Sequence, residues 1–220
     1  HGLHGPNAIL FMNKGKHILS EKPITVNRKE LQKMIDAAKE NQVFLMEGMW
    51  PRFVPGILKL LEIVDSGLIG DVQGIEGRFC YEMSDEPDHH AFKPEYGGGS
   101  ILDVGCYCLS FASWFMKSPV TEIKAVADVG ARTHVDEHAC YLLKYENGAI
   151  YSLTSAMMVK KPSDGHIFGS KGRIDLTGRF YAAENFTVHV YGGESTEYHM
   201  PFYGNGFEEE IMEANACIRA

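Results

Sequence analysis

Three groups of residues in this chain have the types and spacing to do chemistry. Lys22 follows a short apolar run, Lys16-His17-Ile18-Leu19-Ser20, and precedes Pro23. Proline lacks an amide hydrogen and disfavours the α conformation in the residue before it, so the strand stops there with the lysine on a fixed turn. Ligands of open α/β sheets bind at such strand ends. An ammonium held there orients a substrate hydroxyl or lowers the pKa of a neighbouring acid; read alone, it is a solvated strand-end lysine. Asp103 and Tyr107 form the second group, four residues apart in the apolar segment Ile101 to Met116. In a helix that spacing turns both side chains the same way, and Gly97-Gly98-Gly99 just upstream lets the backbone approach closely before the helix begins. A tyrosine beside a lysine and an aspartate is a workable proton-transfer group, because the cation favours the phenolate. The competing reading makes Asp103 a helix cap and Tyr107 ordinary packing.

The histidines are the third group. His89-His90, preceded by Asp85 and Asp88, and His134-Val135-Asp136-Glu137-His138 both resemble ligand clusters. Neither has the helical His-x-x-x-His spacing of a hydrolytic zinc site or paired cysteines. Both lie in polar, loop-like stretches and read as solvated loop residues, so no metal site is expected. Trp50, Arg52 and Phe53 would stack on a ring and pair an anion, or else serve as a structural aromatic and a surface arginine.

The elements that must position these residues follow from periodicity. Ala8, Ile9, Leu10 and Met12 predict a short helix from Pro6 to Asn13, closed by Gly15. Asn27 with Glu30 three residues on resembles a capping box, and Leu31, Met34, Ile35 and Ala38 make one apolar face. Val43 to Met46 is of strand length. Helix, strand, helix, strand in this order predicts αβαβ winding about a parallel sheet. Ile57, Leu58, Leu61 and Val64 predict one more helix, stopped by Gly67 and Gly70. Alternation begins at Asp71 to Tyr81 and, after a polar loop over 82–99 and the helix at 101, returns as strands at 120–129, 138–146, 149–158, 166–169, 173–177, 186–191 and 194–199. Asn147-Gly148 and Gly192-Gly193 are strong hairpin dipeptides, with Lys171-Gly172 a third. Such hairpins predict a largely antiparallel sheet with helices over one face. Phe207, Ile211, Ala214 and Ile218 mark a last amphipathic helix.

Composition bounds the function classes. The chain has 220 residues, 45% hydrophobic and 23% charged, enough to bury a core. Its 21 basic and 29 acidic residues give a formal charge of −8. Nucleic acid and anionic membrane surfaces require a basic footprint, so neither is an expected partner. No apolar run approaches the ~18 residues of a membrane span, and no export signal opens the chain. The five cysteines, at 80, 106, 108, 140 and 217, show no CxxC pair. They read as reduced thiols of a cytoplasmic protein.

The same residues carry a family resemblance. Gly15-Lys16-His17-Ile18-Leu19-Ser20-Glu21-Lys22-Pro23 resembles the Gly-Lys-His-Val-x-x-Glu-Lys-Pro signature of the glucose–fructose oxidoreductase/inositol dehydrogenase/MocA-type oxidoreductases. Gly98-Gly99-Ser100-Ile101-Leu102-Asp103-Val104-Gly105-Cys106-Tyr107 is similar to that family's Gly-Gly-x-x-x-Asp-x-Gly-x-His/Tyr segment. His4 stands eleven residues before Gly15, where the family usually has a histidine. Met46 to Phe53, and Tyr rather than His at 107, are similar to the dimeric dihydrodiol dehydrogenase branch.

The resemblance implies the C-terminal part of a Rossmann-type parallel-sheet domain over 1–52. A mostly antiparallel open-sheet substrate and dimerisation domain would follow over 53–205, then a helix over 206–220 returning to the nucleotide domain. It implies hydride transfer between NAD or NADP and a sugar, cyclitol or diol carbon. Lys22 would lie beside nicotinamide and substrate, Tyr107 would be the proton donor and acceptor, and Asp103 would orient substrate or tune the pair. His4, Glu21, Lys22, Trp50 and Arg52 would line the cofactor side, and the uncovered sheet face would pack on a copy of itself. The family's GxGxxG phosphate loop occurs nowhere in the sequence. The expectation is therefore a partial chain, cut at its start and partway through its last helix, that binds cofactor weakly by itself. A non-enzymatic homodimerising module is the rival reading, and a metal-dependent hydrolase a weaker third.

Overall fold

The computed structural model describes residues 1–83 and 88–220. Its first unit is small: α1 (His4–Met12), β1 (Ile18–Glu21), α2 (Arg28–Glu40) and β2 (Leu45–Gly48). β1 and β2 pair in parallel, with Ile18 opposite Leu45 and Glu21 opposite Gly48. Met12 and Met34, both fully buried, join Ala8, Ala37 and Ala38 between the two helices. The Asn27 side chain accepts from the Glu30 amide at 3.0 Å, so the expected cap starts α2. β2 begins two residues later than the apolar run suggests, because the Val43 amide still closes the helix end on the Ala38 carbonyl.

A turn at Trp50–Phe53 and α3 (Pro55–Asp65) lead into β3 (Val72–Cys80). Later come α4 (Cys106–Trp114), β4 (Val120–Val129), β5 (Asp136–Tyr145), β6 (Ile150–Ala156), β7 (Gly165–Gly169), β8 (Gly172–Leu176), β9 (Asn185–Val190), β10 (Ser195–His199) and α5 (Phe207–Arg219). The strands from β3 onward form one eight-stranded sheet in the order β10-β9-β8-β7-β3-β6-β5-β4. Every neighbouring pair is antiparallel except β3 with β6. Gly148 (φ 88°) and Gly192 (φ 76°) turn two of the hairpins in a conformation that favours glycine.

Helices α3 and α4 cover one face. Ile57, Leu60, Cys108 and Phe111 pack there on Ile75, Leu153, Ile167 and Ile174. The other face is open, and Val126, Leu142 and Ile150 stand on it at 79%, 46% and 53% exposure. The architecture is thus a small parallel α/β unit followed by a mostly antiparallel open sheet with helices on one side, as expected.

Two apolar faces differ from their periodicity. In α3 the buried row is Gly56, Ile57, Leu60 and Ile63, and Leu58 is half exposed. A side chain on Gly56 would collide with the Ala183 carbonyl, so the helix seats on its glycine and turns Leu58 outward. In α5 the buried residues are Glu210 and Ala214, while Ile211 and Ile218 are exposed.

Candidate active site

Lys22 leaves the C-terminal end of β1 and crosses to the second unit. Its Nζ donates to the Asp103 carbonyl at 2.7 Å, lies 3.5 Å from Asp103 Oδ1 and sits 4.9 Å from the centre of the Tyr107 ring. The three residues singled out by type and spacing therefore meet, although Lys22 is far from the other two in sequence.

Asp103 lies in a π-helical stretch, Ile101–Gly105, that runs into α4. It does not cap that helix. Asp136 of β5 does, accepting from Ser100 Oγ at 2.8 Å and from the Ile101 amide at 2.7 Å. Gly99 (φ 112°) passes so close to the Asp136 carboxylate that any side chain there would collide with it. Asp103 is left to face the cleft. Its Oδ2 accepts from the Tyr81 hydroxyl at 2.8 Å, and its Oδ1 lies 3.6 Å from His1 Nε2.

Tyr107 sits in an aromatic wall. Its ring centre is 5.4 Å from that of Phe79 and 4.9 Å from that of Tyr181, and Tyr181 stacks on Phe79 at 4.6 Å. Burial pushes the phenol well above its ordinary value, and a hydrogen bond donated by the Trp50 indole pulls it partly back. Burial outweighs the phenolate stabilisation expected from Lys22. At neutral pH the Tyr107 hydroxyl is protonated.

The remaining candidates scatter. His4 Nδ1 donates to the Pro23 carbonyl at 2.8 Å and steadies the turn that carries Lys22. Glu21 accepts from the Lys22 amide at 2.8 Å. Trp50 packs edge-on to Tyr181 at 6.1 Å. Arg52 departs from the cleft, its guanidinium 5.9 Å from the Trp114 ring centre. His134 and His138 stay apart from the cleft, and His138 contacts Lys161 and Cys140.

His90, read as a solvated loop residue, is exposed as expected, although its ring also lies 5.4 Å from that of His1; Asp85 lies outside the described residues. His1, His90 and Asp103 bring ligand-type atoms within 4.8 Å of one another. Lys22 already places a positive charge on the same carboxylate, which disfavours a divalent cation there. His1, Tyr81 and Tyr181 are cleft residues that sequence reasoning missed. Only Tyr81 carried a signal, as the last apolar position of the β3 alternation.

A lysine at the end of a parallel strand thus meets a tyrosine carried by a second, sheet-based unit, the kind of seam at which small-molecule sites form. Comparisons with known proteins give the class. Residues 1–49 match a family model described as oxidoreductase family, NAD-binding Rossmann fold, and residues 57–175 match the GFO/IDH/MocA C-terminal domain. The chain belongs to the GFO/IDH/MocA oxidoreductase family.

Among curated relatives, trans-1,2-dihydrobenzene-1,2-diol dehydrogenase of Xenopus tropicalis is 30% identical over 226 residues, covering 99% of this chain and 67% of the relative. The Mus musculus protein of the same name is 32% identical over 94% of this chain and 60% of its own length. Of solved structures, an aldose-aldose oxidoreductase from Caulobacter crescentus superposes with a TM-score of 0.90 at 22% identity, over 99% of this chain and 66% of that one. A 3-ketoreductase from Actinomadura kijaniata, solved with NADP, superposes at 0.86 and 23% identity, over 97% and 66%. The chain thus spans about two thirds of the length of most of these proteins and less of the mouse relative.

Proposed function

We propose that this chain supplies the catalytic half of an enzyme that moves a hydride between NAD or NADP and a diol, sugar or cyclitol carbon. The observation that carries this reading is the convergence of Asp103 and Tyr107 on the Lys22 ammonium. A homodimerising module without catalysis has no need of all three.

The donors present suit the nicotinamide end of such a cofactor. Lys22 spends one N–H on the Asp103 carbonyl and approaches that residue's carboxylate with a second, leaving a third for a ligand oxygen. His4, Glu21 and Trp50 frame the same strand end, while Arg52 faces Trp114 and is the weakest of the cofactor-side assignments. Bound there, the nicotinamide supplies the hydride chemistry. Tyr107 Oη, held protonated by burial, gives its proton to a substrate carbonyl oxygen. Asp103, fixed by Tyr81, keeps the lysine ammonium beside that oxygen. The Phe79 and Tyr181 rings exclude water and present a flat apolar surface to a ring-bearing substrate.

Titration of the protein with NADH and NADPH, followed by nicotinamide fluorescence, is the first test. Saturable binding that weakens at least tenfold in Lys22→Ala is expected, and would justify a panel of diols and polyols. Saturable binding that ignores Lys22→Ala overturns the placement of the cofactor.

We also read the open sheet face as the contact with a second copy of this chain. Val126, Leu142 and Ile150 form an exposed apolar patch on neighbouring strands β4, β5 and β6. One such face meeting itself makes a closed, isologous pair. The expected mass by light scattering is twice that of the chain, and a monomer at micromolar concentration overturns this reading. The five cysteines are all free, which suits the reducing cytoplasm. Among the described residues no helix is long and apolar enough to cross a membrane.

A further inference from the structure

Glu210 lies in the first turns of α5 and is only 4% exposed, with no hydrogen-bond partner for its Oε2. That oxygen faces the ends of β1 and β2. A methyl group placed on Gly48 would lie 3.4 Å from it, 3.2 Å from the Ser20 carbonyl oxygen and 3.5 Å from Glu21 Cα. A buried carboxyl on α5 is therefore pressed against the strand end from which Lys22 departs.

The neighbouring charges are engaged elsewhere. On β2, Glu47 accepts from the Ile24 amide at 2.8 Å. In the turn after β2, Arg52 points to Trp114. On α5, Glu208 accepts from the Gly206 amide at 3.1 Å, Glu209 from the Tyr203 amide at 3.3 Å and Glu213 from Cys217 at 3.5 Å. Lys22 is turned to Asp103. Glu21 is the ionisable group whose charge acts on Glu210, and it is of like sign. A buried carboxylate with neither donor nor cation is costly, and taking up a proton removes that cost. Burial, with Glu21 behind it, raises the Glu210 carboxyl from 4.5 to about 7.

We propose that Glu210 is a positioning residue: neutral, it lets α5 seat on the ends of β1 and β2 and holds Glu21 and Lys22 in place; ionised, it repels Glu21 and releases α5. The consequence for the cleft rests on the reading of Lys22 above, whereas the seating of α5 does not.

The sign of the pH dependence follows from the raised value. Between pH 4.5 and about 7 the released state gives up its proton while the seated state keeps it. Seating therefore weakens by up to about tenfold per pH unit across that window and is level above it.

Trp50 reports on α5 directly, since its ring centre is 5.8 Å from that of Phe207 and 5.7 Å from that of Phe202. Trp114 is the chain's other tryptophan. In a Trp114→Phe background, Trp50 emission is expected to shift to the red between about pH 5 and about pH 7. Glu210→Gln should hold it at the blue end throughout. Constant emission in the background protein overturns the proposal, and so does a transition that survives Glu210→Gln. Should Glu210→Gln fail to fold, Glu21→Gln decides: with the like charge gone the red shift must shrink, and an undiminished transition overturns the proposal. NADH affinity that stays independent of pH while the emission behaves as expected would fault the cofactor reading and leave the seating of α5 intact.

Discussion

Replacing Tyr107 by Phe is expected to lower turnover by about 10²–10⁴-fold, the range over which a positioned acid or base acts, with NADH or NADPH affinity nearly unchanged. The substitution removes Oη alone and keeps the ring, which still packs on Phe79 and Tyr181 and still receives the Lys22 ammonium on its face. Because burial holds the phenol protonated, alcohol oxidation must first remove that proton. Oxidation by the parent protein should rise with pH well into the alkaline range, while carbonyl reduction should not. The Phe variant should lose that slope along with the rate. Steady-state rates in both directions against pH make the measurement, and a Tyr107→Phe protein that keeps its turnover sinks the role assigned to the hydroxyl.

Phe180→Ala should cost about 3–5 kcal/mol of stability, the range for deleting a buried aromatic ring. Phe180 is fully buried, edge-on to Phe111 at 5.1 Å. Two strand glycines make room for it. A Cβ on Gly165 would lie 3.0 Å from the ring and one on Gly77 3.5 Å, so the neighbouring backbones fit the phenylalanine and cannot close over its absence. At roughly 2–4 °C per kcal/mol for a chain of this size, the melting temperature should fall by roughly 6–20 °C. The urea midpoint should fall with its slope unchanged. Tyr181 is the next residue, so the aromatic wall beside Tyr107 should loosen too, visible as a raised KM. A variant that melts within about 2 °C of the parent contradicts the packing described here.

How much of this was legible beforehand depends on the kind of signal. Lys22, Asp103 and Tyr107 were visible because each sits beside local punctuation, a proline in one case and a triple glycine in the other. The hairpins were visible because Asn147-Gly148 and Gly192-Gly193 impose backbone angles that few other dipeptides accept. Tyr81 showed only as the end of an alternation, and Tyr181 not at all, because both reach the site through the closure of a sheet whose strand order no local pattern encodes; His1 gets there by packing against Gly97 and Asp103, far away in sequence. The cap of the Asp103 helix failed for a related reason. The chain offers Asp103 itself at the right place, yet Asp136, brought in by β5, takes the position. Glu210 shows the limit of periodicity. Its helix looks amphipathic through Phe207, Ile211 and Ile218, but the face that docks is set by the neighbouring strand ends.

The place of β3 in the sheet also governs how the chain comes to be folded in a cell. Its two hydrogen-bonded neighbours are β6 and β7, which leave the ribosome only after α4, β4 and β5 have been made. Until then both edges of β3 are bare and Ile75 has no sheet to be buried in. The helices and the β4–β5 hairpin can form as they emerge, whereas the centre of the sheet must wait for contacts distant in sequence, the kind that slow folding most. During synthesis the nascent protein therefore carries an open strand, prone to pairing with the wrong partner. Both edges of β3 are covered only once Ile150–Ala156 and then Gly165–Gly169 are free of the exit tunnel.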